Sequence, residues 1–269
     1  MSLPIDLTGK VILICGAGRG GISGATARAA TLAGATIVAL DREQALLDEV
    51  REDVEGLGGK ITTMLVDLTD ETQVEQVVPR IFAEHGRLDG VANVAGGTRE
   101  EEWMPLDETP TASFRQTLAI NLDYIFMICR DAARAMIKAG TPGSLVNVGS
   151  VSAIAAAPWH GPYGAGKSAI SALTRTMANE WHEFGIRANT VSPGGVMTTR
   201  VANRRKAANV VDDGSVIFTM PEELANVIVF LLSDLANGVS GQTIVVDRSL
   251  STKFCAGTRK TRKQVGSDR

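Results

Sequence analysis

The chain has 269 residues, 44% of them apolar and 4% aromatic, and 27 Lys+Arg against 30 Asp+Glu give a net charge of −3. Length and apolar content suit one large domain with a sizeable core and exclude wholesale disorder. The near-balanced charge argues against a nucleic-acid binder, whose footprint would be basic.

Short Val/Ile/Leu runs fall at residues 11–15, 36–40, 61–66, 88–92, 144–148, 187–191 and 243–246. Amphipathic patterns lie between them, clearest at 23–33, 73–84, 114–138, 163–184 and 221–232. Near-continuous apolar strands alternating with helices predict a parallel sheet covered on both faces. Right-handed crossovers wind such units into an α/β, doubly wound, mostly parallel sheet. Residues 1–252 read as one domain, with a polar excursion at 198–219 that carries Arg200, Arg204, Arg205 and Lys206 ahead of Asp212 and Asp213. Residues 253–269 read as a solvated basic tail. Cys15, Cys129 and Cys255 form neither a metal spacing nor a disulfide framework, so a reduced, cytoplasmic setting without a metal is expected. The N-terminus has no basic region ahead of its apolar run, and no apolar stretch reaches the ~18 residues of a membrane span.

The first strand runs into Gly16-Ala17-Gly18-Arg19-Gly20-Gly21-Ile22-Ser23-Gly24. Glycines permit positive φ in a tight turn and let backbone approach a pyrophosphate without a Cβ in the way. The helix N-terminus behind such a loop offers free N–H groups and a partial positive charge. Asp41 ends the second run, 21 residues after Gly20. A carboxylate there accepts hydrogen bonds from both ribose hydroxyls of NAD and repels a 2′-phosphate. Asp41 also stands where a helix N-cap belongs. Arg19 and Arg42 could each pair with a 2′-phosphate, so NADP is the alternative to the favoured NAD.

Tyr163 and Lys167 stand four apart, on one helix face, where an ammonium can stabilise a phenolate. Ser150 lies thirteen residues before Tyr163, just past the fifth strand. At these residues the sequence resembles the short-chain dehydrogenase/reductase family, in its compact single-domain branch, over about residues 7–247. Ser150, Tyr163 and Lys167 match that family's catalytic triad, and Asn121 matches the asparagine that completes a tetrad. Asn93-Val94-Ala95-Gly96 is similar to the signature after the fourth strand. Asp67 and the adjoining Leu68 match the neighbourhood that holds adenine. Pro193-Gly194, with Val196 and Thr198, matches the stretch bordering the nicotinamide.

The resemblance implies a Rossmann-like fold and an NAD(H)-dependent oxidoreductase that interconverts a secondary alcohol and a ketone. Tyr163 would transfer the proton, Lys167 would lower its pKa and hold the nicotinamide ribose, Ser150 would hold the substrate oxygen, and Asn121 would position a relay water. It also implies a homo-oligomer, most simply a tetramer, and a small-molecule alcohol or ketone as substrate, which the apolar residues near the loops after the strands suggest is hydrophobic. The phosphate loop departs from the family pattern. Cys15 replaces Thr, Gly21 looks like an insertion, and Ser23 falls where the third glycine belongs, which predicts a remodelled turn. Asp247-Arg248-Ser249 replaces the usual Asp-Gly-Gly. His160, Trp103, Trp159, Met197 and Met220 are candidate pocket walls, and Glu100 to Glu102 read as a solvated loop. Two rival readings are an NADPH-dependent 3-oxoacyl-type reductase and a nucleotide-binding sensor without turnover.

Overall fold

The computed structural model describes residues 4–98, 103–210 and 217–252. The first strand, β1 (Val11–Cys15), is buried throughout. Its two-residue period sends Val11, Leu13 and Cys15 into one core and Ile12 and Ile14 into the other. A strand with two apolar faces needs helices on both sides.

The remaining strands are β2 (Thr36–Asp41), β3 (Lys60–Leu65), β4 (Gly90–Asn93), β5 (Gly143–Val148), β6 (Ile186–Pro193), the short β7 (Gly195–Val196) and β8 (Phe218–Thr219), and β9 (Thr243–Val246). Seven of them form one sheet in the order β3-β2-β1-β4-β5-β6-β9, and every pairing in it is parallel. The helices are α1 (Ile22–Leu32), α2 (Gln44–Gly56), α3 (Glu71–His85), α4 (Thr111–Leu118), α5 (Tyr124–Ala139), α6 (Gly161–Glu180), α7 (Thr199–Ala207) and α8 (Pro221–Leu232). On one face α3, α5 and α6 contribute Val77, Ile128 and Ile170 to the first core. On the other, α1, α2 and α8 contribute Ala30, Val50 and Ile228 to the second. The expected doubly wound α/β sheet is what the chain forms.

Two elements differ from expectation in ways that matter to the site. The long helix expected over 114–138 is interrupted by a π-helical turn at Ala119–Asp123, because the Asn121 amide diverts the Thr117 carbonyl and reaches out to Gly97. The 198–219 excursion is closed at its base by pairing of Gly195 with Phe218 and Val196 with Thr219, and it carries α7. The Glu100–Glu102 run and the basic tail lie outside the described residues.

Candidate active site

The strand order reverses between β1 and β4, and in an open parallel sheet ligands bind beyond the strand C-termini at such a point. A cleft of about 840 Å³ opens there. Loops after β1 to β4 and after β7 wall it with Gly16, Gly18, Arg19, Gly20 and Gly21, Asp41 and Arg42, Asp67 and Leu68, Ala95 and Gly96, and Thr198.

Gly16 and Gly18 take φ of +98° and +141°, open to glycine and strained for any other residue. A Cβ on Gly16 would lie 3.2 Å from the Ala95 nitrogen. The expected defect at Ser23 is corrected by the next residue. A Cβ on Gly24 would lie 2.8 Å from the Arg19 carbonyl oxygen and press on the Gly18 carbonyl as well. Gly24 is therefore the close-packing glycine. The extra residue is taken up where the Gly21 N–H donates to the Gly18 carbonyl at 3.1 Å. Gly21 caps α1 without a side chain, which leaves first-turn N–H groups for a ligand. Ile22 opens α1 and packs against the second core.

Asp41 is not the N-cap of α2; Glu43 holds that position without a side-chain bond. The Asp41 carboxylate instead accepts from the Ala17 N–H at 2.7 Å and the Glu43 N–H at 3.1 Å, tying the end of β2 to the glycine loop. Asp67 accepts from the hydroxyl and N–H of Thr69, which, with Arg42 nearby, hold it below the usual carboxylate value. Asn93 lies inside the protein and outside the cleft wall. Its amide donates to Asn147 Oδ1 at 2.8 Å and to Cys129 Sγ at 3.3 Å. Pro193 is buried at the end of β6, Gly194 fits against Asp247, and Val196 belongs to β7 and the second core.

Ser150 is buried just after β5, and its hydroxyl accepts from the Ser152 N–H at 3.1 Å and hydrogen-bonds Tyr163. Tyr163 occupies the first turn of α6, and one turn later the Lys167 ammonium lies 5.5 Å from its ring centre. Lys167 is 2% exposed and donates to the Val148 carbonyl at 2.8 Å. Burial without a carboxylate partner pulls it down to about 7. Burial pushes the Tyr163 phenol above its ordinary value, and the Ser150 hydrogen bond opposes that rise. Asn121 is buried at the π-turn. Its amide donates to the Thr117 carbonyl at 2.9 Å and the Gly97 carbonyl at 2.8 Å, and its oxygen accepts from the Gly97 N–H at 2.9 Å. Gly96 must be glycine here, since a Cβ would lie 2.7 Å from Asn121 Oδ1 and 3.3 Å from Lys167 Nζ. His160 stacks edge-on between Trp103, at 3.8 Å, and Tyr163, at 5.7 Å, and is pushed down by burial.

Comparison with known proteins decides the family. Residues 16–250 match the family described as Enoyl-(Acyl carrier protein) reductase. A 3-oxoacyl-(acyl-carrier-protein) reductase FabG of Thermotoga maritima is 34% identical over 247 residues, covering 91% of this chain and 98% of its own. This chain belongs to the short-chain dehydrogenase/reductase family. A 2,5-dichloro-2,5-cyclohexadiene-1,4-diol dehydrogenase of Sphingobium indicum is also 34% identical, over 250 residues, 90% of this chain and 97% of its own. A solved short-chain type dehydrogenase/reductase from Mycobacterium ulcerans superimposes with a TM-score of 0.84 at 30% identity, covering 93% of this chain and 92% of its own.

As a short-chain dehydrogenase/reductase the chain is an oxidoreductase of a family that uses nicotinamide cofactors. The residues present fit such a dinucleotide: two positive-φ glycines, a cradle that a Cβ at Gly16 or Gly24 would fill, and an uncapped helix start. Sequence reasoning missed Thr199. Its N–H donates to the Gly20 carbonyl at 2.9 Å, and its side chain takes the space a Cβ on Gly20 would need, so α7 rests on the glycine loop. No spacing in the sequence marks that contact. It also missed Glu52 and Asp53 of α2, whose carboxylates each pair with Arg19 at 2.9 Å. Among the described residues, no group of His, Cys, Asp and Glu is placed to hold a metal, and no helix is long and apolar enough to cross a membrane.

Proposed function

We propose that this chain is an NAD(H)-dependent oxidoreductase that interconverts a secondary alcohol and a ketone, with Tyr163 as the proton-transfer residue. The observation that carries it is the Ser150–Tyr163–Lys167 cluster, in which two hydroxyls meet beside a buried ammonium. The bound nicotinamide supplies hydride chemistry. The protein's part is to hold the substrate oxygen and manage its proton.

Ser150 and Tyr163 both direct O–H groups to that oxygen, Ser150 stabilising charge as it develops. A phenol kept protonated by burial is ready to donate in the reducing direction. In the oxidising direction it must first lose its proton, and Lys167, near 7, is a base within the same buried pair. Asn121 and Gly97 hold the backbone beside Lys167, where a water can carry that proton to solvent. NAD is favoured because Asp41 is directed to the cleft while Arg19 is occupied by acids of α2. Trp103 and Leu106, both exposed near the His160 end of the site, support an apolar substrate.

Tyr163→Phe is the test: turnover is lost while NADH affinity, read by nucleotide fluorescence, stays within about threefold. Unchanged turnover would remove Tyr163 from the chemistry. The FabG relative favours a second reading, an NADPH-dependent 3-oxoacyl reductase, which requires NADPH to bind more tightly than NADH. A cytoplasmic homotetramer accompanies either reading. Exposed Phe126 on α5 supports such assembly, and a monomer mass by light scattering at micromolar concentration would contradict it.

A further inference from the structure

Arg19 is the only guanidinium in the glycine loop, and it borders the cleft. Its Nη2 and Nε are engaged by α2. Nη2 donates to Glu52 Oε2 at 2.9 Å and to the Glu49 carbonyl at 3.1 Å, and Nε pairs with Asp53 Oδ1 at 2.9 Å. The neighbouring Arg28 of α1 reinforces the arrangement. Its Nη1 donates to the Arg19 carbonyl at 2.9 Å and to Asp53 Oδ2 at 3.1 Å. The backbone and head group of Arg19 are thus tied to one acidic ridge. Asp53, at 18% exposure, anchors it from inside, and Glu52, at 73%, closes it from solvent.

We propose that Glu52 and Asp53 are cofactor-selectivity residues: by latching Arg19 onto α2 they withhold its guanidinium from a 2′-phosphate and select against NADPH. The inference rests on the reading of this cleft as an NAD site and deepens it. A phosphate monoester carries about −1.5 to −2 at neutral pH and is matched best by a bidentate guanidinium. To reach it, Arg19 would exchange two carboxylates for one phosphate, so the ion-pair gain nearly cancels. The vacated carboxylates would then stand within a Debye length, about 8 Å at physiological salt, of the new charge and repel it. Asp41 lies on the same rim, and Arg42, a further guanidinium lining the cleft, has Glu43 at 3.9 Å and Asp67 nearby. NADH, with two ribose hydroxyls in that position, meets none of this opposition.

The test is a fluorescence titration of wild type, E52A/D53N, R19A and the triple variant with NADH and NADPH, with thermal melts as a folding control. The double variant should gain about tenfold or more in NADPH affinity with NADH changed less than twofold. Adding R19A should abolish the gain, and R19A alone should leave the wild-type ratio unmoved. Because Glu52 is exposed, E52A alone keeps the test open if D53N lowers stability, and it should show part of the gain. An unmoved ratio, equal shifts for both cofactors, or a gain that survives R19A would overturn the latch. Wild type preferring NADPH would overturn both the latch and the NAD reading, whereas wild type preferring NADH with an unresponsive ratio would overturn the latch alone.

Discussion

The two halves of the cleft are held in place by different means. Around Tyr163, position is fixed by the buried side chains of Ser150, Lys167 and Asn121 with named partners: Lys167 on the Val148 carbonyl, Asn121 on both polar groups of Gly97. Around the glycine loop it is fixed by backbone. Positive φ at Gly16 and Gly18, the absent Cβ at Gly24 and the Thr199 bond to Gly20 define the shape, and exposed ion pairs trim it. The difference teaches how each half tolerates change. A side-chain constellation depends on one spacing along a helix. A backbone cradle absorbs an extra residue so long as a glycine arrives where two chains touch.

The comparison is broken most severely at Tyr163. Replacing it with Phe should lower turnover about 10³-fold, within the ~10²–10⁴ range of proton-transfer catalysis, and leave NADH affinity nearly unchanged. A matching loss of affinity would mean that the halves are not separable. In the loop half, Gly24→Val forces a side chain against the Gly18 and Arg19 carbonyls. It should cost about 1–3 kcal/mol in urea unfolding and weaken NADH binding more than tenfold. A tolerated valine would show that the loop does not need that close approach.

Lys167 gives a pH signature confined to its own half of the cleft. Its buried value of about 7 lies below its ordinary 10.5, so the unfolded chain holds a proton that the folded one lacks between those limits. Wild-type stability relative to Lys167→Met should therefore rise with pH above 7, by at most ~1.4 kcal/mol per unit, in urea melts at pH 7, 8 and 8.5. A gap constant with pH would mean that the ammonium is not buried as described. The smallest effect is expected at Asp41. Asp41→Asn keeps an acceptor for the Ala17 N–H but loses charge, and NADH should bind about tenfold less tightly, as for a weakened hydrogen bond to a charged group.

The same contrast explains what could be read in advance. The sheet was legible because its central strands are near-continuous apolar runs, and the candidate catalytic residues because Ser150, Tyr163 and Lys167 match the family's motif in order and spacing. The third glycine was misassigned: spacing counted from the first strand cannot tell an insertion that destroys a turn from one that displaces its glycine. The N-cap role that Asp41's position also allowed falls to Glu43, and the Asp41 carboxylate instead ties two strand ends together across 24 residues of sequence. Amphipathic periodicity runs straight through the π-turn at Asn121, whose cause is a contact to Gly97. Asn93 carried a family signature but spends its amide on Asn147 and Cys129 inside the protein. The Arg19 partners on α2 are two carboxylates, Glu52 and Asp53, and the Glu49 main-chain carbonyl, and no spacing in the sequence says which way Arg19 turns.

The most direct test of the central claim is a parallel titration of the wild-type protein with NADH and NADPH, followed by the same titration of Tyr163→Phe. The account requires NADH to bind at least tenfold more tightly than NADPH, with that preference carried over unchanged into a variant that no longer turns over. Tighter NADPH binding, or no binding of either nucleotide, would contradict it.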